Sequence, residues 1–321
     1  MRILYGVVGE GGGHARRSKV VVSHLTLRGH DLREAQSSVA RNLLATPDIL
    51  RDVEAYEEGI RDFRPQAVIT DFDAFAYIYA RKHGIPILSI DNQQIIARCK
   101  HGEAITRGAE LDYQLTKAFV KSKLPSCDSY VVTTFFYPPI RRKVAHTTTL
   151  VPPILRREIL EARPRAEAAR SDQVLVYLSA ASEPRLLHKL NKVAARFVVY
   201  GLGKSERHGN CTLKPFDEDG FVDDLAHARA VVCDGGLSIL GEAIYLQKPV
   251  FSVPAPHEFE QLMNARYLAE LGYGMNAETL EPDLLRGFLA DTSSYAARLT
   301  RHVQDGNKLL YSAIDRWLRT L

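Results

Sequence analysis

The residues best suited to chemistry sit in the second half of the chain. Asp234-Gly235-Gly236-Leu237-Ser238 sets two glycines between an acid and a hydroxyl. Glycines let a backbone approach a ligand closely. If a helix starts here, the N–H groups of Gly236, Leu237 and Ser238 point at an anion such as a diphosphate. The Ser238 hydroxyl adds a donor. Glu242 follows four residues later, so on a helix it shares a face with Ser238, one turn away. A carboxylate there suits a ribose diol, although a lone helix carboxylate is as often just solvated.

A second cluster is Pro254-Ala255-Pro256-His257-Glu258-Phe259-Glu260-Gln261, with Asn264 three residues on. Glu260 and Gln261 carry the carboxylate and amide that hold vicinal hydroxyls. Glu260 alone would also complement a helix N-terminus. A third cluster is Gly9-Glu10-Gly11-Gly12-Gly13-His14. Its glycines form either a plain turn or an anion loop opening a helix. The imidazole of His14 can take a proton from a hydroxyl near neutral pH, or simply pack against the helix start. The loop is not a dinucleotide fingerprint, because no acidic residue closes a convincing second strand. Asp71-Phe72-Asp73 and Asp91-Asn92-Gln93-Gln94 follow strands and could tune an imidazole, or cap helices. Arg141-Arg142-Lys143 and Arg156-Arg157 read as solvated faces.

The elements that must position these groups alternate. Short β-branched runs are interleaved with helical patterns, as in parallel α/β sheets. The expected strands of the first half cover residues 3–8, 67–70, 85–90 and 129–133, with helices over 14–27, 75–82 and 103–122. After a short strand at 30–32, residues 33–64 read as helical, where a doubly wound half normally has another strand. Val151-Pro152-Pro153 is a stiff connector. The second series has strands at 174–178, 197–200, 212–214, 230–233, 250–253 and 274–276, and helices at 184–194, 220–228, 238–246, 259–271 and 282–289. Residues 294–321 are helical. In open α/β sheets ligands sit outside the carboxyl ends of the strands, where all three clusters fall.

Composition sets bounds. The 321 residues are 45% hydrophobic and 25% charged, enough for packed cores and against disorder. A net charge of +4 suits a polyanionic small molecule or an anionic surface, and is too weak for nucleic acid. Four cysteines without a C-x-x-C pair argue against zinc and disulfides, and for a reducing cytoplasm. No apolar stretch reaches the roughly 18 residues of a membrane span, so any membrane contact is expected to be peripheral, at the inner face.

The run Asp234-Gly235-Gly236-Leu237-Ser238-x-x-x-Glu242-Ala243, then Lys248-Pro249-Val250, Val253-Pro254 and Glu260-Gln261-x-x-Asn264-Ala265, resembles the donor-binding half of GT-B glycosyltransferases. It is similar to the bacterial N-acetylglucosaminyltransferases that form lipid II and to macrolide-type glycosyltransferases. The resemblance implies an α/β GT-B fold, two Rossmann-like domains facing each other across a cleft. Residues 1–150 would form the acceptor side, with 305–321 packing back on it, and 151–304 the donor side. It implies that Gly12, Gly13, Gly235, Gly236, Leu237 and Ser238 contact the donor phosphates. Glu242 would hold ribose, Glu260 and Gln261 the donor sugar, and Phe216 would lie over the base. His14 would be the catalytic base, aided by Asp73, or a phosphate contact, with Asp71 and Asn92 on the acceptor side. Ser179-Ala180-Ala181-Ser182-Glu183 departs from the family, whose members often have glycines there.

The expected reaction is a metal-independent, inverting hexosyl transfer from a UDP- or dTDP-linked sugar to a hydroxyl of a lipid, glycan or small molecule. No cofactor, metal or nucleic acid is expected. The rivals are a nucleotide-sugar hydrolase of the same fold, a non-catalytic nucleotide-sugar binding protein and, more distantly, a dinucleotide dehydrogenase.

Overall fold

The computed structural model describes residues 1–8, 12–37, 49–168, 171–178 and 185–321. Gly9, Glu10 and Gly11 of the first glycine loop lie outside the described residues, as does the Ser179-to-Glu183 loop. The chain divides into two compact units. The first is Met1–Gly102, Tyr113–Arg156 and Asn307–Leu321; the second is Glu103–Asp112 and Arg157–Gly306.

The first unit holds strands β1 (Arg2–Val8), β2 (Asp31–Ser37), β3 (Ala67–Asp71), β4 (Ile87–Asp91), β5 (Ser129–Thr133) and β6 (Thr148–Val151). They form a parallel sheet in the order β2-β1-β3-β4-β5-β6. Ile3, Leu4, Tyr5, Val7 and Val8 are all buried, as expected of a parallel strand covered on both faces. The order reverses at β1, so the carboxyl ends of β1 and β3 flank a topological switch point. The final helix, Lys308–Leu318, lays Leu310, Ile314 and Trp317 into one core with Ile3, Tyr5 and Val131.

The structure revises several expectations here. β2 extends to Ser37, pairing with β1 from Arg2↔Asp31 through Val8↔Ser37. Its polar sequence, Asp-Leu-Arg-Glu-Ala-Gln-Ser, hides it, because an edge strand is fixed by its ladder more than by propensity. Helix Ile49–Ile60 then follows within the region expected to be helical. The single helix expected over 103–122 is two, Glu103–Thr106 and Glu110–Lys123. Gly108 at φ 73° breaks it, and its N–H donates to Glu110 Oε1 at 2.9 Å. Arg156 is only 5% exposed rather than solvated. It ends the buried segment 151–156, which Asn307 pins by accepting from Leu155 N–H and donating to Leu155 C=O. Arg157 alone is the solvated member, paired with Glu161.

The second unit holds β7 (Gln173–Tyr177), β8 (Arg196–Tyr200), β9 (Glu206–His208), β10 (Cys211–Leu213), β11 (Ala230–Cys233), β12 (Val250–Ser252) and β13 (Gly274–Asn276). Their order is β13-β12-β11-β7-β8-β10-β9, parallel except for β9 against β10. β9 is exposed and entirely polar, so no apolar pattern announces it. Here the order reverses at β7, and the carboxyl ends of β7 and β11 flank the second switch point. The four cysteines are free and buried. Among the described residues no helix is long and apolar enough to cross a membrane.

Candidate active site

In the second unit, β11 ends at Cys233 and helix Leu237–Tyr245 begins with Gly236 as its N-cap. Gly235 makes the turn at φ +92°. A Cβ there would lie 2.8 Å from the Gln261 carbonyl oxygen and 3.0 Å from Ser252 Oγ, so the position takes glycine for both conformation and space. Asn264, fully buried, donates from Nδ2 to the Gly235 carbonyl at 3.1 Å. Burial raises the Asp234 pKa, and the Gly236 N–H bonded to it counters part of that rise. The turn is therefore held from both sides before any ligand arrives, and it hands its anion-seeking N–H groups to a nine-residue helix.

Glu242 is 4% exposed, which removes the solvated-surface alternative for it. Gln261 uses its Oε1 to accept from Ala255 N–H at 2.9 Å, shaping the Pro254-Ala255-Pro256 loop. Its NH2 end is the part suited to donate to a ligand. Glu260 lies in the first turn of helix Phe259–Glu270. Glu258, which sequence reasoning passed over, has its pKa raised by burial and by the nearby Asp234 charge. Phe216 is 44% exposed and belongs to an aromatic group with Tyr177, Tyr200 and Phe221, at centroid distances of 5.4 to 6.4 Å. Tyr177 and Tyr200 end β7 and β8, so this group lies on the same sheet edge as the glycine turn.

In the first unit, Gly12 and Gly13 are the first residues of helix Gly12–Leu27, a different unit from the other expected donor residues. His14 Nδ1 lies 3.1 Å from Asp71 Oδ1. Arg17, one turn on and 7% exposed, reaches Asp71 Oδ1 at 2.8 Å and His14 Nδ1 at 2.8 Å. The spacing His14-x-x-Arg17 was the available signal for this arginine, since residues three apart on a helix are neighbours. Burial raises the Asp71 pKa, but Arg17 and His14 more than offset it and hold the carboxyl at about 2. Asp71 can only accept and Arg17 can only donate, so they demand opposite tautomers of His14. With Nδ1–H donated to Asp71, Nε2 keeps the lone pair a general base needs.

Asp73 was expected to aid His14; in the structure the carboxylate against the imidazole is that of Asp71. Phe72 adopts φ +57°, which separates its two neighbours. Asp71 meets His14, while Asp73, fully buried, caps helix Ala74–His83 by accepting from Ala76 N–H at 2.7 Å. One strand over, Asp91 accepts from Ser89 Oγ at 2.5 Å and from Gln94 N–H at 2.8 Å. Burial pushes its pKa up to about 6 despite those bonds. Asn92 is fully buried and donates to the Thr133 carbonyl at 2.7 Å; its Oδ1 has no partner among the described residues.

A family model, glycosyl transferase family 1, matches residues 1–45 and 33–292. The chain belongs to this family. The fold agrees with solved GT-B glycosyltransferases. The glycotransferase of kitacinnamycin superposes with a TM-score of 0.67 at 16% identity, covering 98% of each chain. CalG4, the calicheamicin glycosyltransferase, gives 0.64 at 18% identity over 99% of this chain and 98% of its own. MurG of Acinetobacter baumannii gives 0.62 at 15% identity over 98% and 99%. No curated protein sequence matches at a significant level. The chain is a glycosyltransferase of GT-B fold.

Proposed function

We propose that this enzyme transfers a sugar from a UDP- or dTDP-linked donor to an acceptor hydroxyl, with inversion and without a metal ion. The observation that carries this reading is the preformed Gly235 turn, clamped by Asn264 and opening helix Leu237–Tyr245. Its N–H groups receive the donor diphosphate, with Ser238 Oγ as a further donor. Glu242 holds the ribose hydroxyls, Glu260 and the NH2 of Gln261 hold the sugar, and Phe216 offers the base a stacking face.

His14, as its Nδ1–H tautomer on Asp71, takes the proton of the acceptor hydroxyl at Nε2. That oxygen attacks the anomeric carbon on the face opposite the diphosphate. The bond from the anomeric carbon to the phosphate oxygen breaks, and the nucleoside diphosphate leaves with the electron pair. The helix N-terminus stabilises the charge that develops on it, where fixed dipoles act most strongly. Asn92 lies on the acceptor side of this scheme. The acceptor itself is a lipid, glycan or small molecule, and contact with a membrane, where the acceptor is a lipid, is peripheral.

Incubation with UDP- and dTDP-hexoses and pooled hydroxylated acceptors tests the reading, with nucleoside diphosphate release and product anomeric configuration followed by NMR. A product of retained configuration sinks the single-displacement scheme. Sugar release at equal rate without acceptor moves the activity to hydrolysis.

A further inference from the structure

A cavity lies at the opposite edge of the second sheet from the glycine turn. Its volume is about 340 Å³, and Ser171, His227, Arg229, Gln247 and Lys248 line it. Arg229 immediately precedes β11 and Lys248 lies two residues before β12, so the cavity is at the amino ends of strands whose carboxyl ends carry the expected donor site.

Three basic side chains line the cavity, and among the described residues no carboxylate does. Lys248 is 6% exposed, and among the described residues its one hydrogen bond is a long contact of 3.4 Å to the Ala166 carbonyl. Burial lowers its pKa to about 8. Arg229 donates to neutral oxygens, the Leu289 carbonyl and Thr292 Oγ1. His227 donates from Nδ1 to the Asp223 carbonyl at 2.8 Å, leaving Nε2. Of the nearby acids, Asp223 faces His227 at 3.5 Å, and Asp172 pairs with Arg196 and lies within electrostatic reach of Arg229. An ammonium buried against one weak carbonyl is costly, and an anion beside it would offset that cost.

We propose that this cavity binds a phosphate or diphosphate group, at a site separate from the donor site. Arg229 and Lys248 supply the charge and Ser171 and Gln247 the neutral donors. The assignment does not depend on the glycosyl-transfer reading. The phosphate has two sources, a free small molecule or an anionic lipid headgroup.

Isothermal titration of the full chain with inorganic pyrophosphate, together with co-sedimentation on phosphatidylglycerol vesicles, separates them. Lys248→Met is compared with Lys204→Met, which removes an exposed lysine away from the cavity. The proposal expects Lys248→Met to remove, or weaken at least tenfold, one binding event in one of the two arms, with Lys204→Met leaving that event unchanged. Loss in the pyrophosphate arm assigns a soluble ligand, and loss in the vesicle arm assigns a lipid. Should Lys248→Met fail to fold, as read by circular dichroism, Arg229→Gln at the rim takes its place. Wild-type affinity in both arms for the folded variant, or no binding by the wild type in either, overturns the proposal.

Discussion

His14 and Asp71 meet at 3.1 Å across the switch point between β1 and β3. One brings the imidazole on the first turn of a helix, the other a carboxylate from the last residue of a strand. Arg17 binds the same carboxylate oxygen, so the tautomer of His14 is set by which neighbour takes the proton position.

Asp71→Asn tests that relationship. It removes the acceptor that favours Nδ1–H and leaves Arg17 to select the unproductive tautomer. Turnover should fall by about two to four orders of magnitude, the range expected for a mispositioned or misprotonated general base. His14→Ala should fall as far. Stability carries a second signature. The Asp71 pKa is depressed, so its stabilising contribution is present above the ordinary carboxylate pKa and is lost as pH falls toward about 2. Asp71→Asn should therefore melt below wild type at pH 7, with the gap closing in acid. Full turnover in Asp71→Asn would remove His14 from the role of base.

Asp73→Ala should behave differently. It loses a helix N-cap, worth about 1 kcal/mol, and leaves a buried space. Its melting temperature should drop while turnover of the folded fraction changes little. A loss of turnover equal to that of Asp71→Asn would restore Asp73 to the chemistry.

Asp91 gives the opposite pH signature. Its folded pKa is raised to about 6, so folding holds its proton where the unfolded chain releases it. Stability then falls as pH rises from about 4 to 6, and the cost persists above that window. Asp91→Asn cannot ionise, so it should be more stable than wild type at pH 7 by on the order of 2 kcal/mol. Below about pH 4 the difference should vanish. Thermal melts at pH 3.5 and 7 check this, and a variant less stable than wild type at pH 7 refutes it.

Asn264→Ala should loosen the donor turn without touching a ligand. It removes the buried hydrogen bond to the Gly235 carbonyl, a loss of about 1–3 kcal/mol. Nucleotide affinity should fall with it, measured by fluorescence or calorimetric titration. Unaltered affinity would mean that the turn does not need its clamp.

The cluster around the Gly235 turn was legible because its signal is local. A strand, Gly235-Gly236 and a helix lie within one short segment, and Glu242, Gln261 and Asn264 follow at helical spacings. The pairing in the first unit was not legible in the same way. Asp71 and Asp73 differ by one residue on either side of Phe72, and only the φ +57° of Phe72 decides which of them turns to His14. β9, and β2 beyond Leu32, escaped because edge strands need no apolar alternation, and the ladder supplies what propensity lacks. The break at Gly108 was readable in principle, but the helical pattern continues through it on both sides. Lys248 was noticed only as part of a Lys-Pro-Val run, and its burial is a product of packing between helix Arg157–Ala168 and β12.

We place the nucleotide sugar at the Gly235 turn. Calorimetric titration of UDP and dTDP into the wild type and Gly235→Ala tests it most directly. The added Cβ would sit 2.8 Å from the Gln261 carbonyl oxygen at a φ of +92°, so the turn cannot keep its shape. The account predicts saturable binding of one of these nucleotides to the wild type and at least tenfold weaker binding to the folded variant. Equal affinity in the two proteins, or binding of neither nucleotide by the wild type, would contradict it.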